Sequence, residues 1–153
     1  METNHEKTSS FFRFEDLRIY RKSLEYLTFL NARLTRIPFD QKEMIALPFY
    51  AAARNITNQV AEGASRNKNQ FIYYLKLAKT SIRECVTLTT ICRDAGHFDE
   101  QEAELSRQTL KDLTKMIGAL IASLVRSGVK ECLPTGEPVI VEEELDLRAI
   151  EEN

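Results

Sequence analysis

The chain has 153 residues, of which 43% are hydrophobic and 29% charged, and a formal net charge of −2. Such a chain can bury one core without metal or disulfide support. No apolar run approaches the roughly 20 residues of a membrane span, and residues 1–10 carry no apolar signal core. We therefore expect a cytoplasmic protein with no membrane partner.

The first predicted element is a helix from about Glu15 to Arg36, preceded by a flexible lead-in at residues 1–13 and ended by Pro38. Its spacing predicts an inward face made of Leu17, Tyr20, Leu24, Leu27, Asn31 and Leu34. Asn31 is a polar residue on this face. It either fixes the helix register or makes an ordinary helix–helix hydrogen bond.

The second helix is predicted to begin at a capping box formed by Asp40 and Glu43. Pro48 inside it should bend it, and Gly63 should be the residue that follows its end. Its inward face is predicted to carry Ile45, Phe49, Ala52, Ile56 and Val60.

The third helix has the clearest period, because its apolar residues step by four and three in alternation. Asn67 with Gln70 predicts its start, and Gly96 its end. Glu84 should face outward, either solvated or pairing subunits. The inward face is predicted to be Phe71, Leu75, Ala78, Ile82, Cys85, Thr89 and Cys92.

The fourth helix is predicted to start at a capping box of Asp99 and Glu102 and to stop at Ser127–Gly128. Its inward residues should be Leu110, Leu113, Ile117, Leu120 and Leu124. Short loops favour antiparallel neighbours, so residues 14–127 are predicted to form an all-α, up-down-up-down four-helix bundle.

Residues 128–153 are predicted to be an irregular, acidic C-terminal extension. Residues 136–153 sum to a charge of −6, which leaves +4 on the rest of the chain. The extension is either a solvated tail, or it covers a basic face while Val139–Val141 docks on a neighbouring subunit.

The sequence shows no set of residues that amounts to a reaction centre. The two histidines, His5 and His97, lie outside the predicted helices, where no nucleophile pairs with them. The three cysteines show no C-x-x-C motif, so buried thiols are favoured over disulfides or zinc. No glycine-rich phosphate loop is present. We expect no enzyme, no metal, no cofactor and no small-molecule substrate.

Basic residues are the main polar signal on the surface. The four cations of the third helix fall within an arc of about 80°. Such a row suits phosphate backbones, although a solvated helix face has the same pattern. The candidate nucleic-acid contacts are Arg18, Arg21, Arg54, Arg66, Lys68, Lys76, Lys79 and Arg83.

Surplus apolar residues lie beyond the faces that a four-helix core needs. Several together suggest association, so we expect a homo-oligomer that pools the positive charge of its copies. The candidate interface residues are Phe29, Ile72, Val86 and Ile91.

The segment Phe14-Glu15-Asp16-Leu17-Arg18-Ile19-Tyr20 resembles the opening of the ribosomal RNA intervening-sequence proteins, a bacterial family of small four-helix bundles. The resemblance continues through Val60–Gly63 and Ala78, Ser81 and Glu84 to Arg93–Phe98. The family is related to accessory proteins of diversity-generating retroelements. The resemblance therefore implies a pentamer whose basic surface binds nucleic acid and a reverse transcriptase.

The predicted function is that of a non-catalytic, oligomeric accessory protein that binds phosphate backbones through a basic helix face. Its expected partners are RNA or DNA, with a reverse transcriptase or ribosomal RNA implied by the resemblance. The alternative is a protein-interaction scaffold without nucleic-acid binding, whose contacts come from the surplus apolar residues and the acidic tail.

Overall fold

The computed structural model describes residues 10–128, and within them it contains four α-helices and no strand. The helices are α1 (Arg18–Leu34), α2 (Leu47–Ala64), α3 (Lys68–Asp94) and α4 (Glu100–Gly128). The predicted all-α class is confirmed. Most of the predicted lead-in, His5, Cys132, Val139–Val141 and the acidic extension lie outside the described residues.

The four helices enclose a single core. Helix α1 packs against α2 and α4, and α3 packs against the same two helices, so α1 and α3 occupy opposite corners. Contacts along α2 and α3 run in opposite order. Gly63 faces Tyr74, whereas the earlier residue Gln59 accepts a hydrogen bond from the later residue Ser81 at 3.1 Å. At this contact α2 and α3 therefore run in opposite directions.

The predicted inward faces of α3 and α4 are confirmed in full, because every residue assigned to them is buried. In α2, four of the five assigned residues are buried and Ile45 is partly buried against the core. Glu84 is exposed, as expected. The alternation of three and four is therefore sufficient to orient these helices, because each carries one apolar stripe.

The predicted face of α1 is only partly correct. Leu17 and Leu34 are buried, and Tyr20 and Leu27 are partly buried against the core, but two of its six residues are misplaced. Leu24 is 39% exposed and Asn31 is also exposed, so Asn31 takes no part in fixing a helix register inside the core. The side chains that α1 buries are Ile19, Ser23, Tyr26, Leu30 and Leu34. Two sets of positions on α1 have the spacing of an apolar helix face. The set that is buried contains a serine, which the sequence pattern would place outside the core.

Buried hydroxyl groups explain why this face of α1 can lie inside. The Tyr26 hydroxyl and Ser106 Oγ on α4 are 2.7 Å apart, and Thr89 Oγ1 on α3 is 2.7 Å from the same Ser106 atom. On the other side of α1, Thr57 of α2 donates to Ser23 Oγ at 3.0 Å. Because buried polar atoms cost free energy unless they are paired, these bonds specify how α1 docks.

The predicted start of the second helix is wrong. A 3₁₀ turn at Phe39–Gln41 and a π-helical turn at Lys42–Ala46 precede α2, and neither turn has a side-chain cap, so Asp40 and Glu43 form no capping box. Pro48 is the second residue of α2 rather than an interior one. The π-helical turn directly before α2 keeps Ala46 and Leu47 at right-handed helical angles, so the helical backbone is continuous there. Pro48 removes one N–H donor just after this widened turn.

Gly63 was predicted to follow the second helix, and this too is wrong, because Gly63 is buried inside α2. A Cβ atom at this position would lie 2.7 Å from Tyr74 Cβ and 2.9 Å from Phe71 Cδ2. The glycine is therefore required by the close approach of α2 and α3, not by a left-handed backbone.

The first helix begins at Arg18, after a 3₁₀ turn at Arg13–Asp16, and not at Glu15 as predicted. The predicted start and end of α3 and the predicted start of α4 are confirmed. Asn67 Oδ1 accepts a hydrogen bond from the Gln70 backbone N–H at 3.0 Å, and Gly96 follows α3 with a φ of +79°. Asp99 Oδ1 accepts from Glu102 N–H at 2.7 Å, while the Asp99 N–H donates back to Glu102 Oε1 at 3.3 Å. This reciprocal pair is the capping box that the sequence indicates for the fourth helix.

Cys85 and Cys92 are buried free thiols, as predicted. Burial raises the pKa of Cys85 to about 12, with a smaller contribution from the negative charge of Glu84. Burial also raises the pKa of Cys92 to about 11. Both groups therefore stay protonated at neutral pH and act as small apolar side chains.

Candidate nucleic-acid interface

The structure does not bring the eight predicted cations together on one face. Arg18 and Arg21 lie on α1, and Lys68, Lys76, Lys79 and Arg83 lie on α3, which occupies the opposite corner. Arg54 is exposed on α2, and Arg66 lies in the loop between α2 and α3. Two separate groups of cations result, one on α1 and one on α3.

The α1 group forms one wall of an open groove of about 500 Å³ between α1 and α4, which we call the α1/α4 groove. Four cations, two carboxylates and one thioether line it. These residues are Arg18, Arg21, Lys22 and Glu25 of α1 and Asp112, Lys115 and Met116 of α4. The groove therefore carries a formal surplus of positive charge.

Two of the groove cations have their charge available. Lys22 Nζ lies 3.6 Å from Asp112 Oδ2, so this pair is largely neutral. Arg21 and Lys115 are exposed, and neither forms an ion pair with any residue from 10 to 128. They flank the groove from opposite sides, one on each helix.

The α4 side of the groove was missed by sequence reasoning. Lys115 and Asp112 lie on the outward side of α4 in sequence, and nothing local connects them with Arg18 or Arg21. The signal that could have found them is the antiparallel pairing of α1 with α4, because it brings Lys115 beside the first turns of α1.

Farther along the same helix pair, two arginines share one carboxylate. Arg33 Nε lies 2.9 Å from Glu102 Oε2, and Arg36 Nη2 lies 2.5 Å from the same oxygen. The buried Arg33 Nε has no hydrogen-bond partner among the described residues, because its N–H does not point at that carboxylate; the contact is an ion pair alone. The Arg33 guanidinium also stacks 3.7 Å above the Phe29 ring. The single carboxylate balances only one of the two arginines, so this end of the pair keeps a formal charge of +1.

The α3 group lies on the flank of α3 that borders α4. Thr90 accepts a hydrogen bond from Arg107 of α4, and Lys79 and Arg83 fall within about 20° of Thr90 around the helix. Lys76 and Arg83 are exposed, and no member of the group forms an ion pair with the part of the chain that is described. These cations form a row along one helix.

Among the predicted cations, Arg66 is the one whose charge is most clearly paired within the chain. Its Nε and Nη2 atoms donate to Glu62 Oε1 at 2.9 and 2.6 Å, and this hydrogen bonding raises the pKa of Arg66. Its guanidinium also lies 5.4 Å from the centre of the Tyr74 ring. Arg66 therefore shapes the loop between α2 and α3 more than it attracts an anion.

Three of the four predicted interface residues pack against the chain's own core. Phe29, Ile72 and Val86 are partly buried there, while Ile91 is 42% exposed. Larger exposed apolar side chains lie between α1 and α2 and at the start of α2. There Phe39 is 88%, Met44 79% and Leu47 61% exposed.

Residues 10–128 contain no group of three or more histidine, cysteine, aspartate or glutamate side chains arranged to hold a metal ion. None of the helices in this range is both long and apolar enough to cross a bilayer. His97 Nε2 lies 2.6 Å from Gln41 Oε1, where it joins the α3–α4 connection to the segment before α2.

The fold and the site define a small all-α protein with an open, cation-bearing groove between two helices. The family model of the 23S rRNA-intervening sequence protein matches residues 15–119 of the chain. The chain therefore belongs to this family, which confirms the resemblance seen in the sequence. A comparison with curated proteins finds no match.

Proposed function

We propose that the protein is a non-catalytic accessory protein that binds the phosphate backbone of RNA in the α1/α4 groove. The observation that carries the proposal is the placement of Arg21 and Lys115 on opposite walls of this groove without ion-pair partners among residues 10–128. Membership in a family whose name refers to 23S rRNA favours RNA over DNA as the polymer.

The groove chemistry suits a backbone rather than a particular base. Arginine and lysine neutralise phosphates and release condensed counterions, which gives affinity with little sequence preference. Glu25 and Asp112 repel phosphate and keep the surplus charge small. We therefore expect weak binding per chain that falls steeply as salt is added.

We propose no reaction for this groove. Its lining provides cations, carboxylates and the thioether of Met116, and it lacks the nucleophile and neighbouring base that covalent catalysis requires. A homo-oligomer would set several grooves beside one another, so that one RNA strand could contact more than one of them. Such multivalency raises the overall affinity without new contacts.

The test compares two full-length variants with the same change in charge. Arg21→Glu with Lys115→Glu reverses the groove, whereas Lys76→Glu with Lys79→Glu reverses the row on α3. Binding of a fluorescent single-stranded RNA, with DNA of the same sequence as a second probe, is measured at 50 and 200 mM salt. We expect the groove variant to bind about tenfold or more weakly and its salt slope to fall by about 1.4 for the two lost contacts.

The α3 variant should bind RNA almost as the unmodified protein does. Loss of binding in the α3 variant alone would place the interface on α3 and refute the groove assignment. Absence of RNA binding at 50 mM salt would refute the function itself. Equal affinity for RNA and DNA would retain the groove and overturn the preference for RNA.

A protein-interaction scaffold is the second candidate, and the exposed side chains of Phe39, Met44 and Leu47 favour it. Apolar side chains clustered on a surface often mark an interface. If they join copies of the chain, Met44→Ser with Leu47→Ser should lower the mass measured by light scattering. An unchanged mass would argue against this surface as the contact between copies.

A further inference from the structure

We infer that the α1/α4 groove has a ligand within its own chain, namely the acidic segment at residues 137–146. In this arrangement the carboxylates of the segment pair with Arg21 and Lys115. The inference rests on the charge and position of the groove. Only its regulatory consequence, competition with RNA, rests on the proposed function.

Charge complementarity is the first argument. Residues 137–146 contain five acidic residues and no basic one: Glu137, Glu142, Glu143, Glu144 and Asp146. The groove offers two cations without ion-pair partners among the described residues, one on each wall. An acidic segment that lies in the groove can pair with both, because one cation stands on each wall.

The position of the groove along the bundle is the second argument. Arg33 of α1 pairs with Glu102 near the start of α4, and Lys22 pairs with Asp112 farther along α4. The groove therefore lies on the half of the helix pair toward the end of α4. From the groove, α4 continues for 12 residues beyond Met116 to Gly128, in the direction away from the Arg33–Glu102 pair.

The length of the connection is sufficient. Lys115 lies 13 residues before Gly128, which corresponds to about 20 Å along an α-helix. The nine residue steps from Gly128 to Glu137 can span about 30 Å when extended. Glu137 can therefore reach the groove when the chain turns back along α4, and Glu142–Glu144 can reach the α1 wall.

The apolar residues of the acidic segment can pack on the apolar part of the groove lining. Val139, Ile140 and Val141 stand between Glu137 and the three successive glutamates. Met116 is partly buried in the groove between the cations. A thioether adapts to irregular apolar partners, so the triplet can pack on Met116 while the flanking acids pair with cations.

Because the segment is tethered, its local concentration at the groove is high even if each contact is weak. RNA phosphates would have to displace it, so the segment lowers the apparent affinity of the groove for RNA. It also provides selectivity, since only a polyanion that contacts several grooves at once competes well.

Zero-length carbodiimide cross-linking of the full-length protein tests the inference directly. The reagent joins a lysine amine to a carboxylate only when the two are in contact, and mass spectrometry identifies the pairs. We expect Lys115 or Lys22 to be joined to Glu142, Glu143 or Glu144 at low salt, with yields that fall in about 0.5 M salt, where the Debye length is only a few ångströms. Lys76 and Lys79 serve as internal controls.

Absence of Lys115 and Lys22 from the cross-links, or equal yields at Lys76, would overturn the inference. A mixture of isotopically heavy and light protein distinguishes docking within one chain from docking on another. Mixed heavy–light products as the main species would overturn the assignment to the same chain.

Two full-length variants test the consequence for RNA. Glu142→Gln with Glu143→Gln should raise RNA affinity at 50 mM salt by about threefold or more, because the competing segment is weakened. Glu151→Gln with Glu152→Gln removes the same charge outside the segment and should have a smaller effect. Cross-links without RNA binding would retain this inference and refute the proposed function, whereas RNA binding without cross-links would do the reverse.

Discussion

Substitution of Gly63 by alanine tests the packing of α2 against α3. The new Cβ would lie 2.7 Å from Tyr74 Cβ, and this atom is fixed to the α3 backbone, so the clash is relieved only if the helices separate. Overpacking of this kind costs about 1–3 kcal/mol. Alanine regains up to about 1 kcal/mol of helix propensity relative to glycine. We therefore expect a net loss of about 1–2 kcal/mol in the free energy of unfolding.

Gly118→Ala is the matched control. Gly118 lies inside α4, and a Cβ atom there meets nothing within 4 Å. The substitution therefore gains helix propensity without a clash, and it should raise the free energy of unfolding by about 0.5–1 kcal/mol. The same chemical change is thus expected to act with opposite signs at two positions.

Urea denaturation followed by circular dichroism at a fixed protein concentration measures both effects. A lower midpoint with an unchanged m-value for Gly63→Ala, and a higher midpoint for Gly118→Ala, would agree with the packing argument. Equal stabilisation by the two substitutions would refute it, since the α2–α3 contact would then have room for a methyl group.

Three further predictions concern the helix ends and the buried polar groups. Asp99→Ala removes one half of the capping box and should cost about 1 kcal/mol of stability in urea denaturation, whereas Asp99→Asn should cost less. Ser106→Ala removes the hydrogen-bond partner of the buried Tyr26 hydroxyl and should lower the free energy of unfolding by about 1–3 kcal/mol. Adding Tyr26→Phe to this variant should recover part of the loss. If the losses from the two single substitutions simply add in the double variant, the hydrogen-bond network is refuted. Burial raises the thiol pKa to about 12 for Cys85 and about 11 for Cys92, so above pH 9 the folded state binds more protons than the unfolded state. The contribution of these thiols to the free energy of unfolding should therefore be complete below pH 9 and be lost as the pH rises toward 12. The fall should be less steep in a variant with alanine at both positions.

The sequence predicts α3 and α4 well because each has one apolar stripe and strong end signals. Asn67, Gly96 and the Asp99–Glu102 pair are local devices whose partners lie within a few residues. Nothing distant has to be known for such signals to be correct.

The failures arise where partners are distant in the chain. For α1, local spacing cannot choose between Leu24 and Ser23 as the inward residue, because the choice depends on hydroxyl groups of α2 and α4. The lining of the candidate site depends on distant residues in the same way. Arg18 and Arg21 were found from their charge, whereas Lys115 joins them only through the contact of α1 with α4.

By itself, the sequence determined the all-α class, the inward faces of α2, α3 and α4 and the family, because these depend on residue order and on periods of three and four. Only the tertiary structure decided which face of α1 is buried, why position 63 must be glycine and which cations share a groove. Each of these depends on atoms brought together across helices, where hydrogen-bond partners, available space and neighbouring charge set the free energy.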